Sequence, residues 1–120
     1  MSQRPADPAS LLPLSEVAWE VLLALAAEDR HGYAILLDVE RRTDGRLVLL
    51  PGTLYRALHR MREQGLVDEV SEAPAAAEDP RRRVFQLTSL GRRTAAAEAR
   101  RLAAGVRAAR ELGLLPEEPR

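Results

Sequence analysis

The sequence predicts a mainly α-helical fold carrying one small β-hairpin. Three observations predict it. Apolar residues recur at helical spacing in three successive segments between residues 15 and 65. The pattern then changes to two short strand-like runs around a turn-rich linker. A long segment rich in Ala and Arg closes the chain.

The first helix is expected from about Ser15 to Ala27. Ser15 can N-cap it, Glu16 and Glu20 sit near its positive end, and Leu14, Val17, Val21, Leu22 and Leu25 recur at helical spacing. Glu28-Asp29-Arg30 reads as a polar turn. A second helix is expected from about Gly32 to Arg42, with Tyr33, Leu36, Leu37 and Glu40 marking one stripe and Ile35 and Val39 widening its apolar face. Thr43-Asp44-Gly45 stops it, and Leu47-Val48-Leu49-Leu50 reads as a buried extended stretch. Pro51-Gly52-Thr53 opens a third helix, whose Leu54, Leu58 and Met61 face inward. Gly65 closes it, with Leu66 folding back on the last turn.

The strands follow. Leu66 to Val70 reads as one and Val84 to Leu87 as the other, separated by SEAPAAAEDPRRR with its two prolines. The final helix is expected from about Ser89 to Leu112, with Thr88 as its N-cap. Three helices, a hairpin and a long helix are the order of a winged helix-turn-helix domain with a C-terminal helix. The expected division is a flexible tail over 1–13, the winged domain over 14–88, a dimerisation helix over 89–113 and a second flexible tail over 114–120.

Composition narrows the function classes. Only 3% of residues are aromatic, so aliphatic side chains and alanine must fill the interior, and a partner chain would add stability. There is no cysteine, which excludes disulfides, thiolate metal sites and cysteine catalysis. The longest apolar stretch, Val21 to Ala27, is too short to span a bilayer, so the expected location is the cytoplasm, with no membrane partner. Net charge is zero, yet residues 81–110 carry nine Arg against the single Glu98. A concentrated basic stretch is what a phosphate backbone feels, and arginine presents a planar fork of donors suited to phosphates and guanine edges.

Candidate DNA-binding residues fall in two places. With Leu54, Leu58 and Met61 buried, the opposite face of helix three carries Thr53, Arg56, His59, Arg60 and Glu63, with Tyr55 at its border. A major groove accepts such a face, although an ordinary solvated helix has the same composition. The second place is Arg81-Arg82-Arg83 at the end of the hairpin loop, able to reach phosphates or the minor groove. Taken alone it is also a solvated charge run; the two together lie on one side of a winged fold.

In the last helix Ala95, Ala99, Leu102, Val106, Ala109 and Gly113 form a heptad-like seam of small residues, suited either to pairing with a second copy or to packing on their own domain. Pairing fits DNA binding, because a two-fold protein reads a two-fold site. His31, ahead of helix two, reads as a capping or packing group, and Trp19 as filler of the core or of a dimer interface. No metal-ligand spacing, Ser-His-Asp arrangement, glycine-rich phosphate loop or paired carboxylates are legible, so neither an enzyme nor a cofactor is expected.

Taken in order, His31-Gly32-Tyr33-Ala34-Ile35, Pro51-Gly52-Thr53-Leu54-Tyr55-Arg56-Ala57-Leu58, Gly65-Leu66-Val67 and the run Arg82 to Arg92 resemble the PadR family of transcriptional regulators over roughly residues 15 to 110. The short C-terminal part looks like the subfamily with a single dimerising helix. The resemblance implies a homodimeric winged-helix repressor, binding double-stranded DNA at a pseudo-palindromic operator and released by small phenolic or drug-like effectors. It implies that Thr53, Tyr55 and Arg56 lie on the DNA-facing helix, Arg82 and Arg83 on the wing, and Tyr33 on the element supporting helix three. Departures from the family pattern are Arg56 where Pro is frequent, Val84-Phe85 in place of a Tyr pair, and a final helix without an aromatic on which a flat ligand could stack. Two other readings stay open: a winged-helix protein-interaction module, favoured by zero net charge, and a sensor with a ligand pocket between helix one and the dimer helix.

Overall fold

The computed structural model describes residues 7–70 and 83–117. Among the described residues, four α-helices and a three-stranded antiparallel sheet surround one core. Helices α1 (Glu16–Ala27), α2 (Gly32–Arg42) and α3 (Pro51–Glu63) precede strands β2 (Val67–Glu69) and β3 (Val84–Leu87), and α4 (Ser89–Glu111) follows. The first strand, β1 (Arg30–His31), lies between α1 and α2, and the sheet order is β1-β3-β2. This is the winged-helix order expected from the sequence.

Local chemistry fixes the helix ends. The Ser15 hydroxyl accepts from the Ala18 amide at 3.1 Å, and the Thr88 hydroxyl accepts from the Gly91 amide at 2.9 Å, each satisfying an orphan donor of a first turn. Pro51 occupies the first turn of α3. At the other end Gly65 takes φ +79°, which a side chain would resist. There the Leu66 amide donates to Met61 O at 2.9 Å and the Gly65 amide to Arg62 O at 3.0 Å, completing the Schellman ending. Thr88 also donates through its backbone amide to Leu66 O and through its hydroxyl to Gly65 O, tying the start of α4 to the end of α3.

The core joins Val21, Leu22 and Leu25 of α1, Ile35 and Val39 of α2, and Leu54, Leu58 and Met61 of α3 to Leu66, Val67 and Phe85. Phe85, the single phenylalanine, is the largest fully buried side chain. Ionic contacts hold the α1–α2 junction beside this core. Asp38, 5% exposed, accepts from Arg42 Nε and Arg41 Nη2, each at 2.7 Å. Arg42 also donates to the Glu20 carboxylate and to Glu20 O, each at 2.7 Å.

Several expectations need correction. The stretch expected as a polar turn ends in β1, whose residues pair as Arg30 with Phe85 and His31 with Val84. His31 makes no side-chain cap and is exposed. On α2 the buried residues are Gly32, Ile35, Asp38 and Val39, whereas Tyr33 and Leu37 are exposed, because Ile35 and Val39 enter the core and Asp38, its charge met by Arg41 and Arg42, is buried beside them. Only Leu49 of the 47–50 run is buried; Val48 and Leu50 face solvent. Residues 7–13, expected as flexible tail, include a 3-10 helix at Pro8–Leu11, with Leu11 packed on the core. The Leu114 amide donates to Ala109 O, and Arg110 Nε donates to Pro116 O, so the start of the expected C-terminal tail is held on the end of α4.

Candidate nucleic-acid interface

Helix α3 buries Leu54, Leu58 and Met61 and leaves its other side to solvent. Arg56, His59 and Arg60 are exposed there and Thr53 is half-buried. With Gly52, Tyr55 and Glu63, the first three line one depression on the surface. Arg56 Nη2 lies 3.5 Å from Thr53 Oγ1, and His59 Nε2 lies 3.1 Å from Glu63 Oε1. Among the described residues neither Arg56 nor Arg60 forms an ion pair, so their charge is uncompensated at close range. A face of this kind can present guanidinium forks to phosphates or to guanine edges.

Tyr55 stands at the border of that face, where it lines the depression and also meets the core. Its ring is half-buried, packed on the core 6.3 Å from Phe85 at an interplanar angle of 55°. A Cβ at position 32 would lie 2.4 Å from the Tyr55 hydroxyl oxygen. Glycine at the start of α2 therefore makes room for this tyrosine, which struts α3 against α2 and the sheet.

The hairpin arginines divide. Arg81 and Arg82 lie outside the described residues. Arg83 is half-buried and held within the protein: its Nε donates to Glu69 Oε1 at 2.9 Å, its Nη2 donates to the same oxygen, and its guanidinium lies 5.5 Å from the Phe85 ring centroid. Arg62 Nη1 donates to that carboxylate oxygen at 3.3 Å. The bond from Arg83 holds the Glu69 carboxyl below its ordinary range, outweighing burial, and Glu69 in turn raises Arg83.

Along α4 the environment changes midway. Gly91, Thr94, Ala95 and Glu98 are buried in the subunit's own core region, so Ala95, expected at the head of the pairing seam, faces inward. Ala99 is exposed, Leu102 and Val106 are each 39% exposed, and Ala109 is half-buried. Leu112 and Leu114 are each 75% exposed. Trp19 on α1 is half-buried against the core.

Three core helices, two short paired strands after them and a solvent-facing side of the third helix carrying Arg56 and Arg60 are the features of a winged-helix regulator. Residues 21–97 match the model of the transcriptional regulator PadR-like family. The chain belongs to that family. Its function is accordingly DNA-binding regulation of transcription. This PadR-like regulator is similar in fold to a PadR family transcription regulator from Clostridium difficile (20% identity, covering 82% of this chain and 98% of that one, TM-score 0.65). It is equally similar to a transcriptional regulator from Clostridium thermocellum (20% identity, 82% and 96% covered, TM-score 0.65). A complex structure of hsRosR shares 22% identity over 82% of this chain and 80% of that one, with TM-score 0.67. Among curated proteins no sequence matches.

Two polar features of the regulator escaped the sequence reading. Glu98, 1% exposed, accepts from the Leu14 amide at 2.7 Å and pairs with Arg101, fastening the segment before α1 to α4. The bond from Arg101 lowers its pKa against the opposing effect of burial. A signal was present, because Glu98 lies three residues after Ala95 on the inward stripe and is the lone acid of a basic stretch. The other is the Asp38–Arg42–Glu20 contact, where Glu20 and Asp38 sit on helical faces together with apolar neighbours.

Proposed function

We propose that this regulator binds a pseudo-palindromic operator as a homodimer and represses transcription, with α3 in the major groove. The single observation that carries this reading is the exposed face of α3, on which Arg56 and Arg60 have no ion pair among the described residues, set opposite its buried Leu54–Leu58–Met61 stripe. Arg56 and Arg60 contact phosphates or base edges, Thr53 and His59 complete the contact, and Tyr55 orients the helix from behind. Arg81 and Arg82 add backbone contacts from the hairpin, while Arg83 acts from the base of the hairpin strands.

The second half of α4 supplies the pairing surface. From Ala99 onward no residue of α4 is buried, and Leu102, Val106 and Ala109 continue the small-residue seam. A second copy laid along Ala99, Leu102, Val106 and Ala109 would remove these apolar groups from water and add the burial that a core with one phenylalanine lacks.

Selection of bound sequences from a random duplex pool tests both halves of the reading. A recovered motif with two-fold symmetry is the expected result, and no enrichment above the starting pool contradicts DNA recognition. Sedimentation equilibrium is expected to give a dimer for the wild type and a monomer for Leu102→Asp/Val106→Asp. A monomeric wild type removes the homodimer.

A further inference from the structure

We propose that Glu69 is a positioning residue for DNA binding: one carboxylate braces the hairpin strands against the end of α3 and so sets the angle at which the hairpin meets a duplex held by that helix. The inference rests on the reading of α3 as the groove-binding element. It begins with strand register. Glu69 of β2 pairs with Phe85 of β3, and side chains alternate along a strand, so Arg83, two residues before Phe85, shares their face. Arg83 reaches Glu69 Oε1 through Nε at 2.9 Å and through Nη2, and Arg62 reaches the same oxygen from the last turn of α3 at 3.3 Å.

A second link runs beside the first. Tyr55 of α3 meets Phe85 at 6.3 Å, and the Arg83 guanidinium lies 5.5 Å from the Phe85 ring centroid. The path α3–Tyr55–Phe85–Arg83–Glu69–Arg62–α3 thus closes on itself. Within it Tyr55, Leu58, His59, Arg62, Arg83 and Phe85 line a cavity of about 80 Å³, so the seam between helix and strands is not filled by apolar packing alone. Strands of three and four residues have little rigidity of their own, and a charge-assisted bond from each side supplies it. The Glu69 carboxyl, held below the ordinary carboxylate range by Arg83, stays ionised at neutral pH.

A carboxylate that only competes with phosphate for the two arginines would act in the opposite direction: its removal would tighten binding. The test is fluorescence-anisotropy titration of the duplex recovered by selection, with thermal unfolding measured in parallel. Glu69→Gln and Arg83→Gln are each expected to weaken binding about tenfold, and the double variant also about tenfold, because both break one brace. Glu69→Asp, which keeps the charge and shortens the reach, is expected to weaken binding as well. Arg62→Gln, which removes the contact from α3 and leaves the strand pair intact, is expected to weaken binding as well. Unchanged or tighter binding by Glu69→Gln, Glu69→Asp or Arg62→Gln, or losses that multiply in the double variant, would each overturn the inference. A wild-type protein that binds no duplex overturns instead the reading on which it rests.

Discussion

The arginines at the α1–α2 junction and those on α3 stand in opposite electrical surroundings. Arg42 is bonded to the Glu20 carboxylate, to Glu20 O and to Asp38, while Arg30 reaches Ala24 O at 2.8 Å and lies 3.5 Å from Asp38. Arg56 and Arg60 have no acidic partner among the described residues. The first group is spent on holding two helices together, and the second is available to an external anion. Net charge cannot separate the two, since a chain of zero charge holds both. What separates them is whether the fold brings a carboxylate within reach.

The strongest way to break this contrast is to remove the unpaired group. Arg56→Ala/Arg60→Ala is expected to weaken DNA binding about 100-fold, at about a factor of ten for each lost contact, with the unfolding midpoint unchanged. A titration showing less than a threefold loss would remove α3 from the interface. The converse substitution, Asp38→Ala, is expected to lower stability by about 2 kcal/mol in urea unfolding, because Arg41 and Arg42 lose charge-assisted bonds and Arg30 a nearby counter-charge. Below the unfolding transition, DNA affinity should stay within about threefold of wild type.

Acidification sharpens the same contrast. Burial raises the Asp38 pKa, but bonding to Arg42, the charges of Arg42 and Arg30, and bonding to Arg41 outweigh it, so the net shift is downward. A carboxyl lowered in the folded state contributes stability that is complete above its unfolded value and is lost as pH falls through the folded one. Unfolding free energy is therefore expected to hold at neutral pH and to fall through and below the ordinary carboxylate range, with a shallower acid limb in Asp38→Ala. An identical limb in both proteins would show that Asp38 does not carry the linkage. The smallest effect is expected from Glu63→Gln, which removes an acid from the α3 surface and should tighten DNA binding about twofold; weaker binding would show that Glu63 accepts a bond from the duplex.

How much of this was legible in the sequence follows from the range of each cause. Helix ends are set within a few residues, and Ser15, Thr88, Pro51 and the Gly65-Leu66 ending all stand where the sequence places them. The inward face of α3 is legible for the same reason, as a clean stripe on an otherwise polar helix. Strand β1 is not, because two residues carry no periodicity and Arg30 and His31 become strand only by pairing with Phe85 and Val84. The α2 face is misjudged because the core takes Ile35 and Val39 together with the buried Asp38, a charged position that no hydrophobic pattern marks as inward.

The candidate site shows the same division. Arg56, His59 and Arg60 are read correctly as exposed, since exposure follows from the helix alone. The core contact of Tyr55 depends on space left by Gly32, 23 positions earlier, and the capture of Arg83 depends on Glu69 in the neighbouring strand. Both are contacts between elements, and neither leaves a mark in the local sequence.

The salt dependence of wild-type binding to its selected duplex tests the central contrast most directly. If the unpaired arginines of α3 meet phosphates, log affinity falls linearly with log salt by about 0.9 for each phosphate neutralised, and the slope becomes shallower in Arg56→Ala/Arg60→Ala. A slope near zero, or one identical in the two proteins, would contradict the assignment of that face to DNA.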